Sequence, residues 1–353
     1  MIQHAFSKHV KLRNNVRPDD SAVSISAVGR AVNKRQVVML GVGVIEFGGP
    51  EVLRVVDLPE THAAAGEVRI RVYAATVNPT DTYLRKGARA EALRNVSPPH
   101  IPGMDVAGVI DEIGDGTATD LAIGDAVMAM VVNSGSHGGY RESIVLSADS
   151  VVRAPAGATL IEAATLPMNG LTARQSLDQL ALRPGQTLAV TGAAGCYGGY
   201  VVQLAKADGL KVIADASSAD EELVRSLGAD IIVPRGNDIA AQIREVAPHG
   251  VDGLADGSFQ SGLAVGAVRN GGGFASVRGW RGDERGIAFH RTSVRDYDHR
   301  AVLLDRLRQQ VEDGLITLRV AATFPAEQAA EAHRRLEARG TRGRLVLVWT
   351  THS

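Results

Sequence analysis

Residues 188–206 read Leu-Ala-Val-Thr-Gly-Ala-Ala-Gly-Cys-Tyr-Gly-Gly-Tyr-Val-Val-Gln-Leu-Ala-Lys, and no other stretch constrains the fold as tightly. An apolar run enters Gly192, Gly195 and Gly198, and the helical pattern Val201, Val202, Leu204, Ala205 follows at once. Gly192 permits a tight turn, Gly195 lets backbone N–H groups approach a ligand, and Gly198 allows close helix–strand packing. The first turn of such a helix carries unpaired donors and a partial positive charge, which suits a diphosphate. The spacing Gly-x-x-Gly-x-x-Gly is one residue off the commonest fingerprint, and glycines also make turns that hold nothing. Context favours binding: a strand before, a helix after, and a second strand ending near Ala214, about 20 residues on. Gly192, Ala193, Ala194, Gly195, Cys196, Tyr197 and Gly198 are therefore the expected dinucleotide cradle.

The chain around this segment has two textures. Apolar runs at 188–191, 211–214, 231–233, 251–255 and 274–277 alternate with helical patterns, which implies parallel βαβ units and a doubly wound sheet. Upstream, 39–45 and 51–57 flank the hairpin-like turn Phe47-Gly48-Gly49-Pro50. Val68, Ile70 and Val72 alternate with charged neighbours, and further apolar runs at 106–113 and 126–132 are broken by glycine and aspartate. These short strands predict a barrel-like β domain up to about Pro155. After about Arg295 two helices are expected, the second opening at Pro325 and ending at Gly340. The last strand, 345–349, has no place in the nucleotide domain and is expected to return to the first. The expected division is a disordered tail or extension over 1–36, a catalytic domain over 37–158, a Rossmann domain over 159–296, and a return to the catalytic domain over 297–353. The tail is basic and lacks a sustained period. It reads as an extension, or as an upstream start chosen in place of Met39, rather than a targeting signal, since Arg30 interrupts its one mildly apolar piece.

Composition removes several function classes. With 45% hydrophobic and 22% charged residues and a formal net charge of −1, there is no global field for nucleic acid or an anionic membrane. No apolar run approaches the roughly 20 residues that span a bilayer. The single cysteine, Cys196, rules out an intrachain disulfide and makes a reducing cytoplasm the simplest home. It also rules out Cys₄ and Cys₂His zinc sites, and the ten histidines show no close ligand spacing. At a helix start the Cys196 thiol would ionise more readily, but no base stands nearby, so it reads as a small residue under the cofactor.

The second strand should decide between NADPH and NADH. It reads Val212-Ile-Ala-Asp-Ala-Ser-Ser218. If Ala216 takes the deciding position, Ser217 and Ser218 offer hydroxyls to a 2′-phosphate; if Asp215 takes it, NADH is the cofactor. Asp220 adds negative charge, and Arg235 could offset it by stacking on adenine or pairing with phosphate. The balance favours NADPH, with NADH as the alternative.

Several further segments carry a resemblance. They are Phe47-Gly-Gly-Pro-Glu-Val-Leu53, Val77-Asn-Pro-Thr-Asp-Thr-Tyr83, Pro102-Gly-Met-Asp-Val-Ala-Gly108, Gly138-Gly-Tyr140, Gly170-Leu-Thr-Ala173 and Gly343-Arg-Leu-Val-Leu347. Together with the glycine turn, the chain resembles the quinone oxidoreductase branch of the medium-chain dehydrogenase/reductases, zinc-free relatives of alcohol dehydrogenase. The resemblance implies a GroES-like catalytic domain built from both chain ends around a Rossmann domain, a cleft between them, and a homodimer. It places Asn78, Asp81 and Tyr83 beside the nicotinamide and the acceptor, and Thr172 near the cofactor. It places Val277 at the nicotinamide edge and Arg344 near the phosphate end. Zinc relatives carry a cysteine before Asn78-Pro79 and Gly-His-Glu where this chain has Gly103-Met104-Asp105, so both ligand positions are lost. NADPH-binding members usually have Lys at Asp220 and Tyr at Arg235, and this chain departs at both. Ordinary structural readings stand beside these: Tyr83 as a packed aromatic, Asn78 as a turn former, Asp81 and Asp105 as braces.

The expected reaction is hydride transfer to a quinone or an α,β-unsaturated carbonyl, with Asn78 and Tyr83 as hydrogen-bond donors to the developing oxyanion. Acceptor choice would be encoded in 86–96 and 280–291. An enoyl-thioester or alkenal reductase differs only in acceptor, and a non-catalytic NADPH-binding protein would show binding without turnover. Alcohol oxidation lacks a group to lower the alcohol's pKa. RNA binding through the tail would need interleaved aromatics that are missing.

Overall fold

The computed structural model describes residues 38–297 and 300–349; the extension expected over 1–36 lies outside the described residues. Strands β1 (Val38–Val44) and β2 (Leu53–Pro59) pair antiparallel with Val44 opposite Leu53, so the Gly-Gly-Pro segment turns the chain as the hairpin reading expected. In β3 (Glu67–Thr76) the alternation buries Val68, Ile70 and Val72 and exposes Arg71 and Tyr73. β4 (Asp105–Ile113), β5 (Ala126–Met130), β6 (Ser143–Ser147) and β7 (Val151–Arg153) complete the first β unit.

The second unit contains β8 (Thr187–Thr191), β9 (Lys211–Ala216), β10 (Ile231–Pro234), β11 (Val251–Asp256), β12 (Val268–Ser276) and β13 (Ala288–Arg291). All pairings are parallel and the order is β10-β9-β8-β11-β12-β13. Counted from its own first strand, this is the 3-2-1-4-5-6 order of dinucleotide-binding sheets. The order reverses between β8 and β11, and their carboxyl ends open a crevice there.

Two strands follow, β14 (Val320–Pro325) and β15 (Arg344–Val348). β15 pairs antiparallel with the end of β3, as the last strand was expected to do, and β14 lies parallel beyond it. The return of β15 carries Arg344 into the first unit's sheet. The helical segment expected to open with Pro325 near its N-terminus is present, and β14, which was not expected, runs into that proline. A 3₁₀ turn spans Ala326–Gln328, and the helix runs Ala329–Glu337. Half of the β14 side chains are exposed, so only pairing with β15 reveals it as a strand.

Among the described residues three apolar clusters fill the interior. One lies inside the β unit around Val68, Ile70, Ile110 and Leu347, and another on the far face of the parallel sheet around Ile213, Leu254 and Phe274. The third joins Leu188 and Val190 of the sheet and Val201 of the helix Cys196–Ala207 to Met104, Met128 and Val152 of the β unit, and to Leu304 and Leu307 of helix Arg300–Glu312. Each fully buried aliphatic side chain contributes about 1.5–3 kcal/mol. This third cluster therefore welds the two units along the floor of the crevice. Among the described residues no helix is long and apolar enough to cross a membrane.

Candidate active site

The crevice holds a cavity of about 760 Å³ that runs without a break from the glycine turn to Tyr83. Gly192 adopts φ +73°, a left-handed turn that glycine enters freely. A Cβ on Gly198 would stand 2.3 Å from the Gly192 carbonyl oxygen, so the third glycine lets helix Cys196–Ala207 seat against β8, as expected. The first intrahelical bond joins Gly199 N to Gly195 O at 2.9 Å, leaving the N–H groups of Cys196, Tyr197 and Gly198 ahead of it. Cys196 is buried and lines the cavity beside Tyr197, whose hydroxyl shares a 2.7 Å hydrogen bond with Ser176. Ala193 and Ala194 are buried within the turn. Arg319, which sequence reasoning missed, braces it from outside by donating to the carbonyls of Ala194 (3.1 Å) and Gly195 (2.7 Å). The signal was the doubled glycine: a Cβ on Gly199 would lie 2.3 Å from the Arg319 guanidinium.

At the end of β9 the two acids that weighed against NADPH are both occupied. Asp215 is buried beneath the turn, accepting from Gly192 N (2.6 Å) and Ala193 N (3.1 Å) and pairing with Arg235 Nε (3.0 Å). Asp220 accepts from both Nε and Nη2 of Arg342 and from the Ser217 hydroxyl (2.6 Å), and these partners hold its carboxyl below the usual range despite burial. Neither carboxylate lines the cavity, whereas Arg235 and Arg342 do. Ser217 and Ser218, expected to meet a 2′-phosphate, do not line it either, because Ser217 spends its hydroxyl on Asp220.

The opposite end of the cavity centres on Asp105, fully buried. Its Oδ2 accepts from Thr76 (2.5 Å), from the Asn78 amide (2.8 Å) and from Arg344 (3.0 Å), while its Oδ1 accepts from Met168 N (2.5 Å). The Asn78 side-chain oxygen accepts from Arg344 at 2.7 Å, so both ends of that amide are consumed inside the protein. Asn78 also starts helix Pro79–Arg85, with its backbone N–H donated to Asp81. The expectation that Asn78 donates to an acceptor is corrected: it is a positioning residue absent from the cavity wall. Arg344 is likewise moved. It borders the cavity, but its guanidinium reaches into this cluster rather than toward the phosphate end. Asp105, at the position where zinc relatives carry glutamate, is thus held by four donors from the protein itself. Among the described residues no three His, Cys, Asp or Glu side chains group as metal ligands.

Tyr83, Thr172 and Val277 all line the cavity. Tyr83 is half-buried, and the Arg278 guanidinium carbon lies 4.8 Å from its ring centre. Thr172 donates its hydroxyl to the Met168 carbonyl at 2.5 Å. Lys86 also borders the cavity, but 280–291 does not: Trp280 and Phe289 pack on Phe274 instead, and the strand β13 follows. Asp81, on the same helix as Tyr83, is fully buried. It accepts from Gly103 N (2.9 Å), and the Tyr140 hydroxyl bridges it to His333. Burial pushes the Asp81 carboxyl up to about 6, and burial together with nearby Arg85 drives the His333 imidazole down to about 3.

Comparison with known proteins agrees with this geometry. Residues 64–156 match the alcohol dehydrogenase GroES-like domain, and residues 227–347 match a zinc-binding dehydrogenase domain. A quinone oxidoreductase from Rattus norvegicus is 30% identical over 341 residues, covering 89% of this chain and 98% of its own. An NADPH-dependent alkenal/one oxidoreductase of Arabidopsis thaliana chloroplasts is 28% identical, covering 98% of this chain and 88% of its own. The crystal structure of an NAD-dependent alcohol dehydrogenase superposes with a TM-score of 0.78 at 29% identity, covering 88% of this chain and all of that one. With a GroES-like unit, a parallel dinucleotide-type sheet and a relative of this identity along most of its length, the chain belongs to the medium-chain dehydrogenase/reductase family, in its quinone oxidoreductase-like branch.

Proposed function

We propose that this protein is a zinc-independent, NADPH-dependent reductase of quinones or α,β-unsaturated carbonyls. The observation that carries the reading is the single cavity joining a helix-capping glycine turn to the Tyr83 ring. When bound at this cavity, NADPH would supply a hydride, two electrons with one proton, and a solvent-derived proton would complete reduction of the acceptor. For an enone the hydride adds to the β-carbon and the proton to the α-carbon; a quinone becomes a hydroquinone.

The chain's own residues bind and align. The unbonded N–H groups of Cys196, Tyr197 and Gly198 face the diphosphate, while Thr172 and Val277 flank the nicotinamide. Tyr83 hydrogen-bonds the acceptor oxygen, and its phenol or a water delivers the proton. Asn78, Asp105 and Arg344 lock the start of the helix that carries Tyr83. At the other end Arg235 and Arg342 meet the 2′-phosphate, their aspartate partners having withdrawn from the wall. No Lewis acid is called for, since these acceptors already carry an electron-deficient carbon.

The same resemblance supports a homodimer with the chain divided at about 158 and 296, and the single cysteine supports a cytoplasmic home. The test is to mix purified protein with NADPH and either a benzoquinone or a simple enone and follow loss of the reduced cofactor's absorbance. Turnover with at least one acceptor is expected. Thermal stabilisation by NADPH without turnover of any acceptor would favour a non-catalytic binding protein.

A further inference from the structure

Cations crowd the cavity wall: Lys86, Arg235, Arg278, Arg339, Arg342 and Arg344, against the single acid Glu337. Four of them spend their charge on protein carboxylates. Lys86 pairs with Glu337 at 2.7 Å, Arg235 with Asp215 at 3.0 Å and Arg344 with Asp105 at 3.0 Å, and Arg342 pairs with Asp220. Arg339 shares a short loop with Arg342, which reaches the adenosine end. Arg278 stands apart, following Val277 at the reaction end, and among the described residues no carboxylate pairs with it.

Two rings hold Arg278 instead. Its guanidinium carbon lies 4.8 Å from the centre of Tyr83 and 4.2 Å from the centre of Phe259, so it touches both walls of the cleft. Phe259 is 43% exposed and is presented by a loop with left-handed backbone at Phe259 (φ +63°) and Ser261 (φ +50°). Asp256 pins that loop by accepting from Gln260 N (3.0 Å) and Ser261 N (2.8 Å). Cation–π contact restrains a guanidinium without using its N–H donors or its charge. A planar fork of donors, already restrained and next to Val277 and Tyr83 in the cavity wall, fits an anion with paired oxygens.

We propose that Arg278 receives an anionic oxygen group on the acceptor, so that the preferred substrates are enones or quinones bearing such a group. This rests on the reductase reading and narrows it to an acceptor class. The test compares trans-3-benzoylacrylate, its neutral methyl ester and crotonyl-coenzyme A, on the wild type, Arg278→Gln and Arg278→Lys, with NADPH saturating. The kcat/KM of at least one anionic acceptor is expected to exceed that of the ester by about tenfold. The advantage should reside in KM, shrink with added salt, vanish in Arg278→Gln and return in part in Arg278→Lys. Which anion wins separates a carboxylate from a thioester's phosphates as the recognised group. An ester reduced as efficiently as both anions, or an anion preference that survives Arg278→Gln, overturns the assignment while leaving the reductase reading intact. Failure of all three acceptors, with simple enones and quinones also inert, overturns both.

Discussion

Asp105 and Asp215 are two buried aspartates that each hold an arginine, at opposite ends of one cavity. Asp105 and its partner Arg344 are both sealed, with side-chain exposures of 0% and 4%. Asp215 is equally buried, yet its partner Arg235 keeps 33% of its side chain exposed. The difference separates two uses of the same pair. A sealed pair fixes geometry, here by tying β15 to β3 and Asn78, and removing one partner strands a charge in low dielectric. A half-open pair neutralises the carboxylate and leaves the outer face of the guanidinium for a ligand. The first should therefore read out in stability, the second in cofactor choice.

The largest effect should come from the sealed end. Arg344→Met leaves Asp105 buried without its cation and should lower unfolding stability by about 3–5 kcal/mol in a denaturant titration. A loss below about 1 kcal/mol would mean that the cluster is no lock. Next is the glycine turn that Asp215 supports from below. Gly198→Ala forces a Cβ toward the Gly192 carbonyl, an overlap worth about 1–3 kcal/mol, and NADPH binding measured by calorimetry should weaken at least tenfold. Unchanged affinity would detach cofactor binding from this turn.

Asp81 sharpens the comparison by pH. Its folded carboxyl titrates at about 6 against 3.8 for the free side chain, so the folded state holds the proton more tightly. Its contribution to stability is present below about pH 3.8 and is lost as pH rises to about 6, by on the order of 3 kcal/mol. Asp81→Asn should flatten that slope in melting curves taken across the window, and a slope that persists would assign it elsewhere. The smallest effect is expected at the half-open pair. Arg235→Gln should raise the Kd for NADPH about tenfold, roughly 1.4 kcal/mol, with NADH nearly unaffected. Equal weakening of both cofactors would place Arg235 on adenine or diphosphate instead of the 2′-phosphate.

What could be read from the sequence was whatever local pattern dictates. The three glycines, the hairpin before Leu53 and the alternation of Val68, Ile70 and Val72 all depend on near neighbours, and the structure bears them out. Partners far apart in the chain left no such trace. Arg319 reaches the carbonyls of Ala194 and Gly195 across more than a hundred residues, and Arg344 reaches Asn78 across 266. Asn78 was assigned to the acceptor because its motif names the residue but not what its amide touches. Strands β13 and β14 escaped because both are half-exposed edge segments whose identity comes from pairing. The arginine surplus along the wall was invisible for the same reason: charge counted along a chain does not show which cations are already paired.

The most direct test of direct, metal-free hydride transfer uses chelator-treated protein, NADPH carrying deuterium at C4 and an enone, with the product read by NMR. Deuterium delivered to the β-carbon of the saturated product, at the same rate with and without the chelator, is the predicted result. Product without the label, or turnover that disappears with the chelator and returns with zinc, would contradict the account.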